Sequence, residues 1–143
     1  MTPHTFIVSR AEVRRFALSI GATDAVHHDV EAAHAAGYRD LVAPAYFFQS
    51  LGLSIGRLLP ADELRADGLA GDDNLAGNVV AAGSQVTFGE PICAGDEVQV
   101  EVSEQPPTVK QGSKGRLTLH TINRRYVVNE SVAVDEAYLR IGN

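Results

Sequence analysis

Nine residues, Gly21 to Asp29, read GATDAVHHD and hold two histidines and two aspartates. Histidine changes charge near neutral pH, and a nearby carboxylate can share a proton with it. His27 and Asp24, three residues apart, are therefore the candidate catalytic pair. A metal site is the competing chemistry. His27, His28 and Asp29 are consecutive and lack the separated ligands that zinc or iron sites use, so no metal is expected. Asp24 and Asp29 also suit simple capping of a turn and of a helix. His28 is expected to face solvent or to support a cap. His34, in an alanine-rich helix, is expected to be exposed. His120 is expected to face outward or into an interface, because Leu117 and Leu119 alternate away from it. Cys93 has no cysteine partner and reads as inert, and Asp96 reads as a turn residue.

The elements around this loop follow from periodicity. Thr5–Val8 is a short β-prone run. Ser9 and Glu12 form a capping box, and Val13, Phe16, Ala17 and Ile20 then recur at helical spacing until Gly21 stops the helix. Asp29 would cap a second short helix that ends at Gly37. From Pro44 to Pro60 the chain is apolar nearly all round, as a buried helix is, with Gly52 and Gly56 giving close approach on one side. The stretch 60–78 is polar and glycine-rich, a long loop without the ligand spacing of a calcium site. From Asn78 the period changes to two. NVVAAGSQVTF reads as a strand, GEPICAGD as a turn, and EVQVEV alternates with Val98, Val100 and Val102 on one face. QPPTVKQGSKG reads as a break. RLTLHTINRRYVV and SVAVDEAYLRI are two more strands around a tight Asn129-Glu130 turn. One strand, then helices, then four antiparallel strands predicts an α+β fold: a single domain over 1–143 whose sheet wraps one long helix.

Totals narrow the function. The chain has 143 residues, 45% hydrophobic, enough for one domain with a real core. A net charge of −6 disfavours nucleic acid or an anionic membrane as partner. No apolar run reaches about 18 residues, and the N-terminus lacks the pattern of a signal peptide. A single cysteine allows no internal disulfide, and a cytoplasmic setting is expected. The Asn129-Glu130-Ser131 triplet then reads as chance. No nucleotide or flavin motif is present, so no cofactor is expected.

Four segments carry a resemblance. FALSIGATDAVHHD, AAHAAGYRDLVAPAYF, AAGSQVTFGEPICAGDEVQV and TINRRYVVNESVAVDEAYL resemble, in this order, segments of the MaoC-like dehydratases, which have the hot-dog fold. The nearest group is the FAS1-like dehydratase N-terminal domain, which includes subunits of mycobacterial (3R)-hydroxyacyl-ACP dehydratases. The resemblance implies reversible hydration of enoyl thioesters carried on coenzyme A or acyl carrier protein. The family's loop runs Gly-Asp-x-Asn-Pro-x-His-x-Asp. Laid on it, Gly21 matches the glycine, Ala22 falls where the catalytic aspartate belongs, and His27 falls on the catalytic histidine. Asp24 falls at the asparagine and Ala25 at the proline. The resemblance also implies thioester contacts from the helix start at Ala45 and Tyr46 and from Gly83 and Ser84 on the following strand.

An alanine cannot move a proton, so three functions stay open. The chain is a hydro-lyase in which His27 leads and Asp24 replaces the lost carboxylate. Or it is a non-catalytic partner of a fully equipped homologous subunit. Or the pocket serves His27-based cyclisation, isomerisation or elimination in a biosynthetic pathway. Family active sites lie where two hot-dog folds meet, so a homodimer or a heterodimer with a homologous subunit is expected.

Overall fold

The computed structural model describes residues 4–51 and 80–142. Its first helix starts as the sequence dictates. In α1 (Arg10–Ser19), Ser9 Oγ accepts the Glu12 N–H and Glu12 Oε1 accepts the Ser9 N–H, each at 3.1 Å. The helix turns Val13 and Ala17 into the core. It ends at Gly21, whose φ of +70° lets the Ala22 N–H reach the Ala17 carbonyl (2.8 Å) and the Gly21 N–H the Leu18 carbonyl (3.3 Å). This is a Schellman closure, and it needs a left-handed residue at that position. A 3-10 turn (Ala25–His27) and a six-residue helix α2 (Val30–Ala35) follow, with Asp24 and Asp29 as their caps.

Six strands pair in one antiparallel sheet: β1 (His4–Ile7), β2 (Val80–Phe88), β3 (Glu97–Glu104), β4 (Thr108–Gly112), β5 (Gly115–Val128) and β6 (Ser131–Gly142). Their order is β1-β3-β5-β6-β2. β3 shows clean alternation, with Val98, Val100 and Val102 buried and their neighbours exposed. β5 and β6 meet at Asn129 and Glu130, both with positive φ (50° and 65°), as a two-residue hairpin turn demands.

Two expectations are corrected. The stretch QPPTVKQGSKG is not wholly a break. Pro106 and Pro107 lack the N–H groups a ladder needs, so pairing with β5 lapses there and resumes as β4, opposite Gly115 to Leu119. All but the last residue of β4 is exposed, which removes the alternation that would have announced it. His120 does not face outward: it is buried, 8% exposed. The inward positions of β5 are His120, Ile122, Tyr126 and Val128, while Leu117 and Leu119 are only half-buried. His120 Nδ1 lies 3.4 Å from a Glu104 carboxylate oxygen. Further along the same face Arg124 and Glu136 pair at 2.9 Å, while His120 Nε2 and Arg124 Nε are buried without a hydrogen-bond partner among the described residues.

The apolar segment after Pro44 opens with a 3-10 turn (Ala45–Phe47) and continues as helix over 48–51. Phe47, Phe48 and Leu51 join the core with Val98, Val100, Val102, Ile122 and Tyr126. The Phe48 and Tyr126 rings meet edge-on at 5.3 Å between centroids. Burial pushes the Tyr126 phenol well above its usual titration range. The remainder of the expected helix, with Gly52 and Gly56, and the expected loop 60–78 lie outside the described residues. No helix among the described residues is long and apolar enough to cross a membrane.

Candidate active site

The segment 41–43 is the frame of the site. Val42 gives its N–H to the Val26 carbonyl (3.0 Å), tying the segment to the histidine loop on one side. Ala43 gives its N–H to the Ile92 carbonyl and Leu41 accepts from the Ala94 N–H, both at 2.8 Å, tying it to the β2–β3 turn on the other. A cavity of about 390 Å³ opens between these parts. That volume suits a small-molecule site. Asp24, His27, Tyr38, Ala45, Glu90 and Val134 are among the residues that line it.

His27 is held in one orientation. Its Nδ1 lies 2.6 Å from the Val42 carbonyl oxygen. A carbonyl only accepts, so Nδ1 carries the proton of this bond. Nε2 of the neutral ring then keeps its lone pair, the state a general base requires. Asp24 Oδ1 accepts the Val26 N–H (3.1 Å) and so sets the start of the turn that carries His27. His28 has a different task. Its half-buried ring has Nε2 2.7 Å from the Ala22 carbonyl, to which it donates, and this closes the loop on itself. The Arg14 guanidinium donates to the His28 carbonyl at 3.1 Å and anchors the loop to α1. His34 is exposed, with Nε2 3.0 Å from the Arg39 carbonyl.

The residues expected to touch a thioester divide. Ala45 borders the cavity, at the first turn of a helix where backbone N–H groups lack intrahelical acceptors. Tyr46 is exposed and stacks edge-on against Phe88, 5.6 Å between centroids, outside the cavity lining. Gly83 and Ser84 are exposed on β2, at the outer end of the sheet, and this chain does not bring them to the cavity. Ser84 lies four residues before Phe88, the strand's last residue and a cavity residue, which is roughly 13 Å along a strand.

Reading the sequence missed the opposite wall. Gly89 makes its close approach to β6 without a side chain: a Cβ there would stand 2.3 Å from the Val132 carbonyl oxygen. That approach places Glu90 in the lining. Behind it, buried Asp96 is gripped by both arms of the Arg39 guanidinium, with Nε donating at 2.8 Å and Nη2 to the other oxygen. Asp96 also accepts the Cys93 N–H at 2.7 Å, and Arg39 reaches the Pro91 carbonyl at 3.2 Å. The hydrogen bonds it donates to Asp96 hold the Arg39 guanidinium above its ordinary range. Burial pushes the Cys93 thiol up, which keeps it protonated and inert at neutral pH. The one sequence signal for this wall is a charged residue set between glycine and proline in GEPICAGD, too common a pattern to stand out.

A family model for the FAS1-like dehydratase domain region matches residues 1–136. The chain belongs to this family. Solved structures agree on a single MaoC-like hot-dog fold of the α+β class. The ChsH1-ChsH2 complex from Mycobacterium tuberculosis matches with a TM-score of 0.76 and 19% identity, over 99% of this chain and 86% of that one. The HadBC (3R)-hydroxyacyl-ACP dehydratase complex from the same organism gives 0.72 and 20%, over 98% and 91%. The (R)-hydratase from A. caviae gives 0.67 and 18%, over 97% and 91%. A UPF0336 protein of Clavibacter michiganensis is 55% identical over 42 residues, 29% of this chain and 28% of its own length. The match thus spans little more than a quarter of that relative. In this member of the FAS1-like dehydratase family, His27 borders the cavity.

Proposed function

We propose that this FAS1-like dehydratase domain hydrates and dehydrates acyl thioesters, interconverting an enoyl and a 3-hydroxyacyl group on coenzyme A or acyl carrier protein. One observation carries the reading: His27 is fixed through Nδ1 on the Val42 carbonyl and borders a cavity of about 390 Å³. In hydration Nε2 takes a proton from water as the oxygen attacks C3, while C2 receives a proton on the same face. Backbone N–H groups at the helix start near Ala45 supply the dipole that the thioester oxygen needs as charge builds there. Asp24 borders the same cavity and is the loop's candidate for the carboxylate that Ala22 lacks. The acyl group and its carrier are the substrate, and no cofactor enters the scheme.

A second reading has its own support. Two of the solved relatives are complexes of unlike subunits, and Ala22 removes a proton-transfer group from the loop. In that reading the chain is the partner of a homologue with an intact loop and shapes the acyl site. Either reading pairs two hot-dog subunits. β2, an outer strand with Tyr46 and Phe88 exposed beside it, is the edge such a partner would cover.

The test is hydration of crotonyl-CoA and of trans-2-octenoyl-CoA by the purified chain, with His27→Ala alongside. Turnover should fall by about 10²–10⁴-fold in the variant, the range for loss of a general base. Absence of turnover alone, with turnover on co-expression with an intact-loop homologue, would transfer the function to the partner reading. Absence in both would leave the repurposed pocket.

A further inference from the structure

We infer that Glu90, reaching the cavity from the β2–β3 turn, is the carboxylate that works with His27. The inference rests on the hydro-lyase reading and gives the second group's role to Glu90 in place of Asp24. Its ground is placement. Segment 41–43 is hydrogen-bonded to Val26 on one side and to Ile92 on the other, so His27 and Glu90 enter one cavity from opposite flanks of the same backbone. Two backbone spacings of about 4.8 Å separate those flanks, within which both side chains can converge on one face of an acyl chain. Asp24, by contrast, shares the histidine's own loop and has one oxygen committed to the Val26 N–H. It positions the turn.

Two features hold Glu90 for this work. Gly89 docks against Val132 without a side chain, and the Glu90 N–H donates to the Val132 carbonyl at 3.3 Å, so the residue is anchored by backbone on β6. The charged and titratable groups around it are His27, Asp24 and Tyr38 in the cavity lining, with the Arg39–Asp96 pair behind. The Glu90 charge contributes to raising the Arg39 guanidinium, so the two lie in electrostatic reach.

The step balances in the dehydration direction. The Glu90 carboxylate takes the proton from C2, the C2–H electron pair becomes the C2–C3 double bond, and the C3–O bond breaks. Protonated His27 gives its Nε2 proton to the departing hydroxyl, which leaves as water. Glu90 then holds one proton and His27 is neutral; a proton passed between them through solvent resets the pair. Hydration is the reverse.

Two assays on the purified full chain test this. The first is dehydration of (R)-3-hydroxybutyryl-CoA across pH. Glu90→Gln should lower kcat by at least a hundredfold with KM within threefold, and the residual rate should lose its acid limb, since no carboxylate remains to ionise. Glu90→Asp should recover part of the rate and the limb. The second is deuterium wash-in at C2 of butyryl-CoA in heavy water, which needs proton abstraction but no elimination. Wild type and His27→Ala should exchange, and Glu90→Gln should not. Exchange without turnover would sink the self-sufficient lyase and leave Glu90 standing. Turnover that survives Glu90→Gln within threefold, a larger loss in Asp24→Asn than in Glu90→Gln, or no exchange in wild type would each overturn the assignment of Glu90.

Discussion

The two walls of the cavity are built differently. Gly21–Asp29 is held largely by neighbours in sequence: Asp24 caps Val26, His28 reaches back to Ala22, and Ala22 closes onto Ala17. The turn from Gly89 to Asp96 is held from a distance. Its anchors are Arg39, 57 positions from Asp96; Val8, which exchanges backbone hydrogen bonds with Gly95 and Asp96; and Val132 and Ala133 on β6. A locally closed loop tolerates change with modest loss of stability and direct loss of chemistry. A turn fixed by long-range contacts should lose both together, because its position depends on the whole fold. That difference is open to attack by substitution.

The largest effect is expected at Asp96. Asp96→Ala leaves the Cys93 N–H without its acceptor in a buried setting and Arg39 without its carboxylate. Arg39 is partly exposed, which discounts the charge, so a loss of about 3 kcal/mol is expected, with urea unfolding as the measurement. Under the proposed hydro-lyase function, turnover of the enoyl thioester should fall in step with stability. If Asp96→Ala unfolds like wild type, the turn does not depend on distant anchors and the contrast between the walls fails.

One substitution made in both walls sharpens the contrast. At Gly89 an added methyl meets the Val132 carbonyl oxygen, so backbone must move; Gly89→Ala should cost about 2–3 kcal/mol. At Gly21 nothing lies within 4 Å of the added methyl, and only the φ of +70° is at stake. Gly21→Ala should therefore cost about 1–2 kcal/mol, the left-handed penalty for a residue with a Cβ. Thermal melts of the two variants side by side decide it. Equal losses would mean that strand β2 yields easily to β6 and that Glu90 is less firmly placed than its backbone contacts imply.

What could be read from sequence follows the same division. The capping box at Ser9 and Glu12, the cap at Asp29, the glycine stop at Gly21 and the alternation of β3 are short-range patterns, and the fold contains each of them. The hot-dog architecture was legible too, because four segments in order carry it. β4 was not: its residues are almost all exposed, and its pairing with β5 is a matter of register rather than pattern. His120 misled because the leucines beside it suggested that the odd positions of β5 face inward, whereas the even positions His120, Ile122, Tyr126 and Val128 do. Glu90 and the Arg39–Asp96 grip were illegible for a plainer reason. Their meaning lies in what the fold brings beside them, and no spacing within a segment encodes that.

The smallest expected effect lies at the joint between the two walls, where Asp40 precedes the frame segment. Its carboxylate accepts from Arg10 at 3.1 and 2.8 Å and from the Leu41 N–H at 2.7 Å, which fastens the start of α1 to the frame. The Arg10 hydrogen bonds, countered in part by burial, hold the Asp40 carboxyl below its ordinary 3.8. A carboxyl depressed in the folded state stabilises the fold at any pH above its unfolded value and loses that contribution as pH falls through its folded value. Melting temperature should therefore separate wild type from Asp40→Asn by a small, constant margin near neutrality. The two curves should converge below about pH 4, the unfolded range of an aspartate. Because Arg10 is exposed, added salt should narrow the margin at neutral pH. A margin that persists into acid would mean that Asp40 acts through the neutral hydrogen bond to Leu41, and the joint would then be fastened by backbone alone.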